Sequence, residues 1–297
     1  MAGARQHGID FIRKYGFDDD GRMFFSVMQD GKPLRKRRYI FSESYTVAAF
    51  AAYAKASGET QAKEEALSVF RLMQRYLSEP GLLPPKIIPE TSSMKGLAIP
   101  MIQIVTAQIL REVLDDPQEC NQVIDDAISE IERDFMKTEF KAVLEAVTQT
   151  GEFSDHFDGR MLCPGHAIEA AWFILKESIF LNHDPRLLKL GLTILDWMFE
   201  WGWDQEYGGI LYYRDVKWLP VQEYCQDMKF GCTTRRSSPL CWHTLSPKTR
   251  NMLSDTNVFM TGPTSISMNP NIVSGLATFS VTTAFPLRSM TTSGNDF

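Results

Sequence analysis

A chain of 297 residues, 44% hydrophobic and 23% charged, is long enough for one large domain or two small ones and has the balance of a globular protein. Its net charge of -6 speaks against nucleic acid or an anionic membrane as partner, because both reward a basic face. Five cysteines without a CxxC pair lack the spacing of a structural zinc site and suit reduced thiols of the cytosol. No apolar run of about 18 residues marks a membrane helix, and the opening MAGARQHGIDFIRKYGF lacks the apolar centre of a secretory signal, so the expected location is cytoplasmic.

The first element is a helical stretch over 4–15 carrying Ile9, Phe11 and Ile12. FFSVMQDGKPLRKRRYIF then reads as two short strands around the turn dipeptide Asp30 and Gly31, with the basic run Arg35 to Arg38 as a solvated strand. A helix is expected over about 44–56, where Val47, Phe50, Ala51 and Ala54 recur at helical spacing and Gly58 stops it. Further helices are expected over 60–77, 96–114, 117–136, 164–181 and 184–203. Consecutive helices with short connections are the αα-hairpins of bundles and helical barrels, and strands are too few for a doubly wound sheet. The proline-rich stretch PGLLPPKIIP at 80–89 reads as a loop within one domain, because helical pairs stand on both sides. WDQEYGGILYYRD at 203–215 reads as a small aromatic hairpin at the rim, whose rings suit either a sugar face or rim packing.

Three blocks carry a family resemblance: QDGKPLRKRRYIFSES at 29–44, CPGHAIEAAWFI at 163–174 and WDQEYGGILYYRDVKWLPVQEYCQDMKF at 203–230. In order and spacing they resemble the N-acylglucosamine 2-epimerase family, also called the renin-binding-protein family, over nearly all of residues 4–230. The resemblance implies an all-α fold, a barrel of six αα-hairpins of the (α/α)6 toroid type with short rim hairpins. It also implies a small-molecule sugar substrate, no cofactor, and a homodimer.

Inverting C2 of an aldose means removing a proton beside the carbonyl of the opened sugar and returning one to the opposite face. Two acid/base groups on opposite sides of C2 and a donor for the enolate oxygen meet that need, and histidines and an arginine suit the roles. The family's histidine pair lies in a W-W-P-H-N-E-A-like segment after D-M-K-F and in a late F-H-x-P-R-like segment. Neither segment exists here, so no catalytic residue is assigned. The family's upstream G-R-Q-V-W-like loop is also absent, and the expected barrel is incomplete at both ends.

His166 is the strongest binding candidate, because PGH opens a helix and sets the imidazole at the barrel mouth. Glu169, three positions on, shares its face and could orient it. A lone histidine at a helix start is by residue type more often a satisfied structural group; the resemblance assigns His166 and Glu169 to the substrate pocket, with Trp172 as a wall. Glu43, in FSES, is a further candidate whose other reading is a carboxylate offsetting a helix dipole. His7, His156 and His183 have no supporting constellation, and Cys241 with His243 makes a poor metal pair; no metal site is expected.

After Phe230 the composition changes. Residues 231–297 hold 22 Ser or Thr in 67 residues and no Glu. Reading the last base of each codon with the first two of the next permits H-N-E-A from Cys232 to Arg236, and at the same offset P-E-Y-x-E-W-F-G-Y-L-x-R-D from Asn269 to Thr282. Residues 1–230 are therefore expected to form a partial barrel, and 231–297 an out-of-frame, poorly structured tail. The expected function is interconversion of N-acetylglucosamine and N-acetylmannosamine, with this chain inactive or impaired. Alternatives are an aldose-ketose isomerase or disaccharide 2-epimerase on the same barrel, or a non-catalytic sugar- or partner-binding protein.

Overall fold

The structure is a computed structural model that describes residues 2–36, 39–84, 88, 90–206 and 209–221. Helix α1 (Ala2–Tyr15) leads into strands β1 (Phe24–Val27) and β2 (Pro33–Lys36), paired antiparallel as the turn dipeptide predicts. Gly31 has φ +87, and a Cβ there would lie 2.1 Å from the ring of Tyr15. Only glycine meets both the turn geometry and that close approach.

Three helical hairpins follow. Helix α2 (Phe41–Ser57) packs on α3 (Thr60–Ser78), and α4 (Ala98–Leu110) packs on α5 (Gln118–Glu130), which continues into a π-helical turn, Ile131–Phe135. After the short α6 (Phe157–Arg160), α7 (Pro164–Phe180) packs on α8 (Pro185–Gly202). Local chemistry sets the ends: Gly58 closes α2 with φ +75 and an N–H bond to the Ala54 carbonyl, and Asp184 accepts from the Leu187 N–H at the start of α8.

The second contacts of these helices define layers. α4 touches both α2 and α7, so α2, α4 and α7 form an inner row and α3, α5 and α8 an outer one. The sequence agrees, since AIPMIQIVTAQIL of α4 is apolar almost all round, the pattern of a helix covered on several sides. The outer helices keep a charged face. One continuous core joins the rows, centred on Phe50, Phe70, Ile104, Leu110, Ile124, Ile128, Ile174 and Ile194.

Short strands collect where the inner helices begin. β3 (Met94–Gly96) pairs with β6 (Ala146–Thr148), and β4 (Met136–Lys137) with β5 (Ala142–Val143). β7 (Met161–Leu162) pairs with β8 (Arg214–Asp215). One stretch carries elements that were not expected, and one expectation is modified. The stretch between α5 and α7 holds strands that its pattern does not announce, because two- and three-residue strands are too short for alternation to register. Among the described residues the expected hairpin at 203–215 is a short one, the bridge Trp203 to Ile210 flanked by backbone bonds from Asp204 to Gly209 and from Leu211 to Gly202, while Arg214 and Asp215 pair with β7. The tail expected over 231–297 lies outside the described residues.

Candidate functional site

His166 stands in the first turn of α7, where Pro164 occupies a first-turn position suited to its missing N–H. Cys163 is the residue before the helix, and its carbonyl accepts from the Ala167 N–H at 3.2 Å. This places the Cys163 thiol and the His166 ring within one turn of backbone. The partner of His166 comes from elsewhere: its Nδ1 lies 3.0 Å from Glu145 Oε1 and 3.1 Å from Oε2.

Glu145 follows β5 in a bend and is fixed by its own backbone. Its N–H donates to the Met161 carbonyl at 3.0 Å, and its carbonyl accepts from the Leu97 N–H at 2.9 Å. The carboxylate is thus tied to the segments that open both α4 and α7. A carboxylate beside the positive end of α7 is stabilised by the helix dipole.

Burial acts against charge on His166, yet hydrogen bonds to Cys163 and Glu145 and the attraction of Glu145 outweigh it, and the pKa is pushed up to about 11. Burial pushes the Cys163 thiol up, against a hydrogen bond from His166. We read the trio as an imidazolium held by a carboxylate beside a neutral thiol. The His166 side chain keeps 27% of its surface exposed and Glu145 15%, so the cluster opens to solvent on one side.

The other expected site residues occupy different surroundings. Glu169 is half-buried one turn further along α7, and Trp172 packs against the main core with its ring 5.2 Å from that of Phe173. Glu43 is buried in the first turn of α2. It accepts from Arg22 Nε at 2.6 Å and from the Met23 N–H at 3.0 Å, and Arg22 also donates to the Tyr39 carbonyl. Glu43 therefore anchors the loop before β1 to α2, and its Oε2 has no hydrogen-bond partner among the described residues. At the rim, Trp201 and Trp218 stack at 4.7 Å with Arg214 over Trp218. Sequence reasoning singled out neither Glu145 nor Cys163. Cys163 adjoins the PGH motif and was within reach, whereas Glu145 lies 21 residues away with no motif to mark it.

An inner row and an outer row of antiparallel helices give the packing of a helical-hairpin barrel of the (α/α)6 type, of which the described residues hold three hairpins. The chain belongs to the N-acylglucosamine 2-epimerase family, whose model matches residues 1–229, a family of sugar epimerases. It is 28% identical over 230 residues to the N-acylglucosamine 2-epimerase of Bos taurus, covering 75% of this chain and 54% of that protein. It is also 28% identical over 225 residues to that of Homo sapiens, covering 74% and 52%. The chain thus spans about half the length of the curated relatives it matches. Among solved structures, the cellobiose 2-epimerase from Bacillus thermoamylovorans B4167 superposes with a TM-score of 0.60 at 16% identity, covering 71% of this chain and 57% of that one. A sugar epimerase from a ruminal bacterium superposes with a TM-score of 0.56 at 17% identity and the same coverages. Both likenesses concern the fold. No helix among the described residues is long and apolar enough to cross a membrane.

Proposed function

We propose that the chemistry encoded here is 2-epimerisation of an N-acylated hexosamine, N-acetylglucosamine with N-acetylmannosamine, and that the chain as written does not complete it. The observation that carries this reading is the Glu145 and His166 pair at the start of an inner helix, inside the stretch that matches the family. A ring held by a carboxylate and kept protonated is suited to donate a hydrogen bond to a sugar oxygen rather than to remove the C2 proton. Such a donor binds and polarises the opened sugar; the proton transfers still require two groups near neutral pKa on either face of C2. In the family pattern those groups follow the D-M-K-F segment, where this chain instead carries its Ser- and Thr-rich stretch. Glu169 and Trp172, on the same helix, are assigned to the pocket with His166, and the working compartment is the cytoplasm.

Proton exchange at C2 tests the reaction directly. The full chain is incubated with N-acetylmannosamine in deuterated buffer, and C2 deuteration and the appearance of N-acetylglucosamine are followed by NMR. The nucleotide sequence across the Phe230 codon is determined in parallel. The expected result is no exchange by the chain as written, a frame that a single-base correction opens to H-N-E-A, and exchange by the corrected product. Turnover by the chain as written overturns the inactivity, and a confirmed frame without H-N-E-A overturns the frameshift. Saturable sugar binding without exchange in that confirmed frame favours the binding-protein reading.

A further inference from the structure

We infer that Glu145, Cys163 and His166 form a binding site for a soft divalent cation, zinc above all. One ligand atom from each lies within 4.8 Å of the others. Tetrahedral zinc with one sulfur and two nitrogen or oxygen ligands sets its donors about 3.3 to 3.8 Å apart. Closing the trio onto a metal therefore asks for movements within the reach of side-chain rotation. His166 and Glu145, at 3.0 Å, need only part slightly.

The donor set decides the class of ion. A thiolate, an imidazole and a carboxylate together suit zinc or cobalt, whereas magnesium and calcium take oxygen donors. Three protein ligands with one open position is the arrangement of open rather than closed structural zinc sites, and the exposed edge of His166 supplies the opening. A bound dication replaces the protons of the imidazolium and the thiol, so its binding should strengthen as pH rises. Glutamate, imidazolium and thiol sum to zero; glutamate, imidazole, thiolate and a dication also sum to zero. Two protons leave to the buffer and one metal ion enters, with no net charge added to a largely buried cluster.

The scaffold is preorganised in a way that a chance cluster is not. Cys163 and His166 share one turn at the start of α7, and the backbone of Glu145 is bonded on one side to Met161 and on the other to Leu97. Neither backbone segment has to move for the ligands to converge. The site shares His166 and Glu145 with the sugar reading, a bound ion taking the place of the proton used there; the titration contains no sugar, so its failure leaves that reading standing.

The full chain, stripped with a chelator, is titrated with cobalt(II) chloride. One equivalent is expected to raise a thiolate-to-cobalt charge-transfer band in the near ultraviolet and the visible bands of tetrahedral cobalt, both removed by zinc chloride. Cys163→Ser should abolish the charge-transfer band, and His166→Gln and Glu145→Gln should each weaken cobalt binding by about tenfold or more. A titration without a charge-transfer band overturns the inference. So does a band that persists at full strength in Cys163→Ser, which would belong to Cys120, Cys225, Cys232 or Cys241. Should Cys163→Ser fail to fold by circular dichroism, unchanged affinity in both His166→Gln and Glu145→Gln overturns it instead.

Discussion

The Nδ1 of His166 lies 3.0 Å from Glu145 Oε1 across 21 residues of sequence, joining the start of an inner helix to the bend that precedes β6. A half-buried charge-assisted hydrogen bond of this kind is worth roughly 1.5 to 3 kcal/mol. Glu145→Ala should therefore lower the stability of the chain by about that amount in urea at neutral pH, with Glu145→Gln losing less because it still accepts a hydrogen bond. A change in both variants within about 0.5 kcal/mol would show that the pair adds nothing to folding.

The last residue of α8 controls the first of α7. A Cβ at Gly202 would lie 2.5 Å from Pro164 Cβ and 3.0 Å from Ile210 Cγ2, so Gly202→Ala must push the helix start that carries His166. The expected cost is about 1 to 3 kcal/mol, read as a lower urea midpoint. In a Pro164→Gly background, which removes the clashing Cβ, Gly202→Ala should cost less than in the wild type; simple additivity of the two changes would show that they do not communicate.

Arg22 and Glu43 form an ion pair with side-chain exposures of 5% and 1%. Removing either partner leaves an uncompensated buried charge, and Glu43→Ala is expected to cost about 3 to 5 kcal/mol. Replacing both, as Arg22→Met with Glu43→Leu, should cost clearly less. Equal losses in the single and double variants would assign the effect to packing.

Asp134 gives the chain a pH dependence. Bidentate hydrogen bonds from Arg133, with a further one from Lys95 against the opposing effect of burial, hold its carboxyl down at about 2. A depressed carboxyl stabilises the fold in full above its unfolded value near 4 and loses that contribution as pH falls toward 2. Because the Arg133 side chain is 68% exposed and screened by solvent, the stabilisation amounts to about 1 kcal/mol at neutral pH. Wild type should exceed Asp134→Asn in stability by that margin at pH 7, and the gap should narrow between about pH 4 and pH 2. A gap that stays constant with pH would contradict the assignment.

The helices were legible in the chain because helical periodicity is a local property. Val47, Phe50, Ala51 and Ala54 mark α2 by spacing alone, Gly58 marks its end, and Asp30 with Gly31 marks the turn between β1 and β2. The family was legible as well, since PGHAIE and its companion blocks are contiguous. The start of α2 was not, because the helix begins at Phe41, ahead of the expected Ser44, with no side-chain cap at Ile40 to mark it.

The site divides along the same line. His166 could be named from its motif, but its partner could not, since nothing near Glu145 in the chain distinguishes it from any other glutamate. Sequence alone determined the helical hairpins and the histidine that opens α7. Only the tertiary structure decided that Glu145 and Cys163 converge on that histidine. Spacing constrains residues a turn or two apart, whereas the bonds from Glu145 to Met161 and Leu97 arise when separate segments close on one another.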